Sequence, residues 1–195
     1  MDITIIPANE YRRERWKNGQ GWTREIFRSP IDGDNWSWRL SIAEVEKDGP
    51  FSAFPGVDRE LVLLAGEGMR LVFDDEQRVE LLPPHDRVRF AGERSLRAEL
   101  IDGATQDFNL MWRRDHVDAS VLHRPLVGPM LFFAEPGVTW AVFVISGRAM
   151  FKDQARPKVL EQGDTALFAA GPDAGRRLIL EGGGEVLLVR IQAKA

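Results

Sequence analysis

Cysteine is absent from this 195-residue sequence, and histidine occurs only three times. Without cysteine the chain forms no disulfide, thiolate zinc site, iron–sulfur cluster or cysteine nucleophile. The three histidines, His85, His116 and His123, leave little material for a histidine-rich metal centre. These absences direct attention to carboxylate, amide and guanidinium chemistry.

Long hydrophobic runs are also lacking. The most apolar uncharged run, residues 136–147, is far shorter than the ~18 residues that a membrane span requires. At the N-terminus, Asp2 and a short apolar stretch precede the basic residues 12–15, the reverse of a secretory signal. The net charge of −4 gives no general attraction to nucleic acid. We therefore expect a soluble cytoplasmic protein that binds neither membrane nor nucleic acid.

Apolar stripes with a helical period are missing as well, and 11 prolines and 18 glycines interrupt the chain. Residues 35–45 and 107–113 instead alternate between apolar and polar side chains, which is typical of strands. Short apolar runs predict further strands at 61–64, 69–73, 87–90, 140–145, 166–168, 178–180 and 186–191. The pattern predicts an all-β protein with little helix.

Two parts of the chain resemble each other. Residues 61–68 and 84–90 match residues 141–147 and 162–168 in the order of strands and turns, with Asp86 and Asp164 78 positions apart. The order resembles the cupin-type double-stranded β-helix (jelly roll), present twice. We predict a single compact bicupin over 1–195, with an N-terminal half of about 1–115 and a C-terminal half of about 125–195. We expect residues 182–184, three glycines, to form a tight hairpin.

Catalytic and metal-binding signatures are not found. Many cupins hold a metal through an H-x-H pair with nearby Glu and His ligands, and these three histidines lack that spacing. We expect each histidine to have a structural or surface role, and we expect no metal and no other cofactor. No G-x-S-x-G elbow occurs, so no catalytic residue is assigned.

Polar and aromatic residues concentrate in residues 16–26 and 48–59. Glycines in the first string allow its backbone amides to approach a ligand, but a tight turn with tryptophans closing the barrel explains the string equally well. In the second string, Asp58 and Arg59 are candidates for an ion pair that orders the loop.

A family resemblance becomes specific at these strings. Residues 16–19, 23–26, 38–43, 48–59 and 107–114 resemble the HutD/Ves family, in order over essentially the whole chain. The resemblance implies a bacterial bicupin without a recognised metal centre or an established reaction. HutD members are associated with histidine utilisation and are thought to bind a small acidic intermediate such as formylglutamate. Ves members are associated with stress and cold response.

The family motif can be carried over residue by residue. It falls on Asn18, Gly19, Gly21, Thr23, Glu25, Arg39, Ser41, Phe54, Pro55, Gly56, Asp58, Arg59, Asn109, Met111 and Arg113. Gln20 departs from the family, which commonly has glycine there, and its side chain either narrows a pocket or adds an amide contact. The candidate ligand-binding residues are Asn18, Gly19, Gln20, Thr23, Glu25, Arg39, Ser41, Asp58, Arg59, Asn109, Met111 and Arg113.

Arg39 and Arg113 also stand out on physical grounds. Both lie on strands whose opposite faces carry large apolar side chains, so the arginines meet either solvent or a polar cavity. Inside a barrel, an arginine grips a carboxylate with two parallel hydrogen bonds. The alternative is that both arginines are solvated or paired with nearby acids.

Three functions follow. The favoured one is metal-independent binding of a small acidic metabolite, an amino-acid derivative resembling formylglutamate, in a regulatory or buffering role. The second is a metal-free isomerase, hydrolase or lyase with Glu25 or Asp58 as the base. The third is a Ves-like stress-response protein that acts through protein contacts, including a homodimer through sheet edges, with residues 12–15, Trp16 and Trp22 as the contact surface.

Overall fold

The computed structural model describes residues 2–33, 35–152, 158–169 and 177–194. These residues form strands almost throughout, beginning with β1 (Ile3–Ile6), and the described part contains one short 3-10 turn, Ala8–Glu10. The predicted all-β class with little helix is confirmed. Within the described part, no helix has the length and hydropathy needed to cross a membrane.

The chain divides into two compact units. We call Arg12–Val117 the N-terminal unit, and Met1–Tyr11 together with Asp118–Ala195 the C-terminal unit. Strand β1 pairs with a strand of the C-terminal unit, and the Tyr11 hydroxyl donates to the Gly163 carbonyl oxygen at 2.6 Å. Residues 2–11 therefore lie with the C-terminal unit.

The N-terminal unit consists of two antiparallel sheets. Its strands are β2 (Arg12–Arg15), β3 (Gly21–Ser29), β4 (Trp38–Val45), β5 (Gly49–Pro50), β6 (Val57–Ala65), β7 (Met69–Phe73), β8 (Arg78–Leu81), β9 (Arg87–Ala91), β10 (Leu96–Leu100) and β11 (Thr105–Arg113). One sheet has the order β2-β3-β4-β11-β6-β9, and the other has the order β5-β10-β7-β8. A jelly roll is built in this way from two sheets that enclose a core.

Apolar side chains from both sheets fill the core of the N-terminal unit. Leu61 and Leu63 of β6 pack in one buried cluster with Met69 and Leu71 of β7. Because side chains alternate along a strand, Arg59 lies on the same face of β6 as Leu61 and Leu63. On this face of β6, Leu61 and Leu63 lie in the core, and Arg59 lies nearer the beginning of the strand.

The C-terminal unit has one sheet and two long strands. Its remaining strands are β12 (Val117–Leu126), β13 (Met130–Phe133), β14 (Val138–Lys152), β15 (Lys158–Leu160), β16 (Thr165–Ala169) and β17 (Arg177–Ala193). The main order is β1-β16-β14-β17-β12, with β13 also on β17 and β15 also on β14. Its core includes the edge-to-face rings of Phe132, Phe151 and Phe168.

Equivalent hydrogen bonds relate the two units. In the N-terminal unit the Leu63 N–H donates to the carbonyl oxygen of Asp86, and in the C-terminal unit the Val144 N–H donates to that of Asp164, both at 3.0 Å. In both cases the aspartate follows a turn and precedes the strand that pairs with β6 or β14. The predicted duplication of a cupin-type jelly roll is confirmed.

The expected hairpin at residues 182–184 is wrong. Gly182 and Gly184 lie inside β17, where Gly184 pairs with Gly147 of β14. A Cβ atom on Gly147 would overlap the carbonyl oxygen of Gly183, so the glycines allow two long strands to run very close together. Glycine clusters occur both in tight turns and where two backbones approach closely, and this cluster allows a close approach.

Candidate functional site

A cleft of about 800 Å³ opens on one face of the six-stranded sheet, within the N-terminal unit. We call it the main cleft. Seven of the twelve candidate residues line it: Asn18, Thr23, Arg39, Ser41, Arg59, Asn109 and Met111. Residues from four strands and one loop, separated by more than 90 positions of sequence, are thus brought together.

Strand register explains this grouping. Ser41 of β4 lies opposite Asn109 of β11, and Met111 of β11 lies opposite both Arg39 and Arg59 on its two neighbours. Residues that pair across antiparallel strands project to the same face. The alternation seen in the sequence therefore carries these polar side chains to one side of the sheet.

Arg59 is the most deeply buried cation that lines this cleft, with 5% of its surface exposed. Its guanidinium carbon lies 5.3 Å from the ring centre of Phe51, 5.6 Å from that of Phe54 and 5.3 Å from that of Phe90. The Nη1 atom donates to the carbonyl oxygen of Ser52 at 3.5 Å, a weak bond. Three aromatic rings thus hold the guanidinium group, and Nε has no hydrogen-bond partner among the described residues.

Burial also changes the acidity of Arg59. Desolvation lowers its pKa to about 10, with the positive charge of Arg39 acting in the same direction and the charge of Asp107 opposing both. The pKa remains well above neutrality, so Arg59 is positively charged at pH 7. A buried cation of this kind favours an anion as its partner.

Asp107 is a residue that the site prediction missed. It has no exposed surface, and both carboxylate oxygens have no hydrogen-bond partner in the part of the chain that the structure describes. Burial raises its pKa from 3.8 to about 7, while the nearby charge of Arg59 acts in the opposite direction. The sequence held a signal: Asp107, Asn109 and Met111 alternate along β11 and so share a face.

Arg39 faces the main cleft, but its charge is compensated. Its Nε donates to Oε2 of Glu25 at 2.6 Å, and Oε1 of Glu25 lies 3.4 Å from Nε of Arg28. The sequence left open an inward arginine or an arginine paired with an acid. Arg39 combines the two, because it lines a cavity and is paired there.

A second cleft of about 490 Å³ adjoins the first, and we call it the side cleft. Arg39 and Phe54 line both clefts, and Glu25 and Arg113 line the side cleft. Arg113 donates from Nε to the carbonyl oxygen of Trp36 at 2.9 Å. Three arginines therefore line the two clefts: Arg59, Arg39 and Arg113.

The loop between β2 and β3 forms one wall of the main cleft. Nε1 of Trp16 donates to Oγ1 of Thr23 at 2.8 Å, and Gly19 adopts a φ of 70° that suits glycine. Nδ2 of Asn18 donates to Oε1 of Gln20 at 2.8 Å. Asn18 lines the cleft, whereas Gly19 and Gln20 are not among the lining residues, so Gln20 supports Asn18 from behind.

Asp58 lies away from both clefts, and the expected Asp58–Arg59 ion pair is wrong. Asp58 instead contacts Arg89 at 3.1 Å and accepts a hydrogen bond from Nε of Arg114 at 3.0 Å. The physical reason is that β6 begins at Val57, so the two neighbours occupy a strand and point to opposite faces.

The histidines have local contacts, and none lines either cleft. Nδ1 of His85 bonds to the Leu63 carbonyl oxygen at 2.8 Å, and Nδ1 of His116 bonds to Oγ of Ser37 at 2.9 Å. Nε2 of His123 lies 3.3 Å from Oε1 of Glu185, within the C-terminal unit.

The suggested contact surface at residues 12–15 is an edge strand. All four residues of β2 are exposed, and Arg13 and Arg15 stack on the Trp22 ring at 4.1 and 4.8 Å. Trp16 instead packs edge to face on Phe51 at the main cleft. Charged side chains on an edge strand oppose its pairing with another sheet.

Two jelly rolls in one chain define a bicupin. In this bicupin the N-terminal unit contains the arginine-lined cleft. A family model described as HutD matches residues 8–188, and the chain belongs to the HutD family. The predicted resemblance is thereby confirmed.

Individual relatives agree with this assignment. Protein Ves of Cronobacter sakazakii is 36% identical over 183 residues, 93% of each chain. An uncharacterized 21.2 kDa protein in the hutC 3' region of Pseudomonas putida is 43% identical over 111 residues, which are 56% of this chain and 58% of that protein. The solved structure of HutD from Pseudomonas fluorescens SBW25 has a TM-score of 0.85 and 29% identity, with full coverage of both chains.

Proposed function

We propose that the main cleft binds a small acidic metabolite, an amino-acid derivative resembling N-formylglutamate, and that this binding has a regulatory or buffering role in histidine utilisation in the cytoplasm. The observation that carries the proposal is Arg59, a buried cation at the cleft whose Nε has no partner among the described residues. The role in histidine utilisation rests on the names of two relatives, HutD and a protein in a hutC region.

A carboxylate is the ligand group that suits Arg59 best. The planar guanidinium group donates two parallel hydrogen bonds to a carboxylate, and such charge-assisted bonds are stronger than neutral ones. Burial strengthens the attraction further, because little water competes inside the cleft. The weak bond to Ser52 leaves most of the donors of Arg59 available to a ligand.

A second carboxylate has a place beside the first. Arg39 lines both clefts and Arg113 lines the side cleft, so a dicarboxylate that reaches across Phe54 meets a second positive group. Glu25 neutralises part of this charge through its contacts with Arg39 and Arg28. We therefore expect the Arg59 contact to contribute more affinity than the Arg39 contact.

Calorimetric titration with N-formyl-L-glutamate tests the proposal. Arg59→Ala is expected to weaken binding by about tenfold to a hundredfold, the range for a hydrogen bond to a charged group. Arg39→Ala and Arg113→Ala are expected to weaken it less. Arg97→Ala, which removes an exposed arginine paired with Glu99, is the matched control and should leave the affinity unchanged.

Unaltered affinity in Arg59→Ala would contradict the proposal. If Arg39→Ala and Arg113→Ala both left the binding of N-formyl-L-glutamate and related dicarboxylates unchanged, the role of these two arginines would have to be abandoned. Circular dichroism of each variant establishes that the fold is retained.

A second candidate function, a metal-free isomerase, hydrolase or lyase, is favoured by one observation. Glu25 is engaged by Arg39, and Asp58 lies on the other face of β6, so neither suits the role of base. Burial raises the pKa of Asp107 to about 7, and a pKa near neutrality suits a general base. NMR observation of N-formyl-L-glutamate with purified protein distinguishes binding alone, with no new signals, from turnover.

A further inference from the structure

Strand β11 carries a row of buried polar atoms without partners. Oγ1 of Thr105, both carboxylate oxygens of Asp107 and Oδ1 of Asn109 make no hydrogen bond within the described part of the chain. The three residues alternate along the strand and therefore share the face that Met111 presents to the main cleft. Buried polar groups in native proteins are normally hydrogen-bonded, so such a row calls for a functional explanation.

The fold itself does not require polar residues in this row. Asp107 pairs with Leu63 of β6, and Val186 of β17 pairs with Val144 of β14, the residue equivalent to Leu63 by its hydrogen bond. The C-terminal unit thus builds the same strand pair with valine in place of the carboxylate. Leu188 likewise stands at the position of Asn109.

Asn109 is the member of the row that lines the main cleft, whereas Thr105 and Asp107 are buried and are not among the lining residues. Ala43 lines the cleft and is the cross-strand neighbour of Asp107, while Asn109 both lines the cleft and belongs to the row. Met111, the neighbour of Arg59, is four residues from Asp107, which is about 13 Å along a strand. That length separates backbone positions, and the charges of Arg59 and Asp107 lie close enough to shift each other's pKa, so both residues belong to one site.

We propose that Asp107 and Asn109 form an acceptor subsite that takes a hydrogen-bond donor of the ligand, so that the ligand is a small carboxylate carrying an N–H or ammonium group. This inference rests on the proposed function, since Arg59 must hold the carboxylate end. It adds that a plain dicarboxylate is a poor ligand, because it leaves the buried acceptors unsatisfied.

The chemistry of the two side chains decides which group fits. An ionised aspartate only accepts hydrogen bonds, and Oδ1 of asparagine is also an acceptor. A donor between them is shared by both acceptors, whereas a second carboxylate is repelled by Asp107. Sites built to hydrogen-bond a polar group reject analogues that lack it, because the buried protein groups then remain unpaired.

Binding of a donor also moves a proton. In the free protein, burial raises the pKa of Asp107 to about 7, so part of the population is protonated at neutral pH. A bound N–H group stabilises the ionised carboxylate and lowers this pKa. The proton on Asp107 then passes to the buffer, and titrations in buffers of different ionisation enthalpy detect it.

The test combines three probes with two variants. N-formyl-L-glutamate and L-glutamate carry the donor, and glutarate lacks it. For the wild-type protein we expect N-formyl-L-glutamate or L-glutamate to bind at least about tenfold more tightly than glutarate. In Asp107→Val, which installs the residue of the C-terminal unit, this preference should disappear while glutarate binding stays within about twofold.

Each outcome has a distinct meaning. Equal binding of all three probes to the wild type, or equal loss of all three in Asp107→Val, overturns the acceptor subsite and leaves the proposed function intact. Binding of none of them overturns both. Asp107→Asn keeps the shape of the side chain and one acceptor, so it should retain part of the preference even if Asp107→Val folds poorly.

Discussion

Asp107 and Asn109 of the N-terminal unit pair with Leu63 and Leu61, whereas at the matching register the C-terminal unit places Val186 and Leu188. The contrast extends to other buried residues in the part of the chain that the structure describes. Buried polar side chains of the N-terminal unit are Ser41, Arg59, Glu60, Thr105, Asp107 and Asn109, and the C-terminal unit has Thr165.

The two units share one fold but differ in how their buried polar groups are hydrogen-bonded. Thr165 bonds to the hydroxyl of Tyr11, so the buried polar side chain of the C-terminal unit is satisfied within that unit, where Nε1 of the partly buried Trp140 is an atom without a partner among the described residues. Asp107 lacks such a partner among the described residues, and an unpaired buried carboxyl group is destabilising. The C-terminal unit therefore has the interior of a stable scaffold, and the N-terminal unit gives up stability to maintain a polar cleft.

The largest expected effect comes from placing the polar residue in the wrong unit. Val186→Asp is expected to destabilise the protein by about 3–5 kcal/mol, because the fully buried site offers no partner for a carboxylate. Urea unfolding measures the loss. Val186→Ala, a cavity-forming control, should cost only about 2 kcal/mol. Equal losses in the two variants would show that the C-terminal interior tolerates charge, and the contrast between the units would fail.

A smaller effect is expected where the long strands approach each other. Gly147→Ala is expected to cost about 3 kcal/mol, since the new Cβ overlaps the Gly183 carbonyl oxygen and the backbone φ is 79°. Gly103 has a similar φ of 80° and open space around it, so Gly103→Ala should cost about 1 kcal/mol. Thermal unfolding of both variants checks the difference. Comparable losses would mean that close approach adds nothing to backbone strain.

The smallest effect is a pH dependence that belongs to the N-terminal unit. Burial raises the pKa of Asp107 from 3.8 to about 7, so between these values the folded protein holds a proton that the unfolded chain lacks. Stability from this group is therefore fully present below about pH 4, falls between about pH 4 and pH 7 by at most about 1.4 kcal/mol per unit, and is lost above about pH 7.

Asp107→Asn serves as the comparison for this slope. The difference in unfolding free energy between wild type and Asp107→Asn should decrease from about pH 5 to about pH 7. All other ionisable groups are present in both proteins, so their contributions cancel in the difference. A difference that is flat across the range would place the pKa of Asp107 near its ordinary value.

The sequence predicts much of the fold, because strand alternation and turn chemistry are local signals. The strands predicted at residues 35–45 and 107–113 correspond to β4 (Trp38–Val45) and β11 (Thr105–Arg113), and the equivalent aspartates Asp86 and Asp164 mark the repeat. The hairpin prediction at residues 182–184 is wrong because glycine suits a close approach of two strands as well as a turn. Only the long-range pairing of β14 with β17 distinguishes the two.

The site was predicted less completely, for a related reason. The family motif contained Arg59, Asn109 and Ser41, and the register of β4, β6 and β11 brings them together. An ion pair was predicted between Asp58 and Arg59, which are adjacent in sequence. Adjacent residues on a strand point to opposite faces of the sheet, so the two side chains do not meet. The site prediction does not include Asp107, although this residue shares a face with Asn109. Its burial and its lack of a hydrogen-bond partner among the described residues depend on contacts across the whole sheet.

The enclosure of Arg59 by Phe51, Phe54 and Phe90 has a kinetic consequence. A guanidinium group held by three rings is already oriented before any ligand arrives, so little side-chain entropy is lost on binding. In such a preorganised site, related ligands associate at similar rates and differ mainly in how long they stay. Selectivity in this cleft should therefore be expressed as residence time.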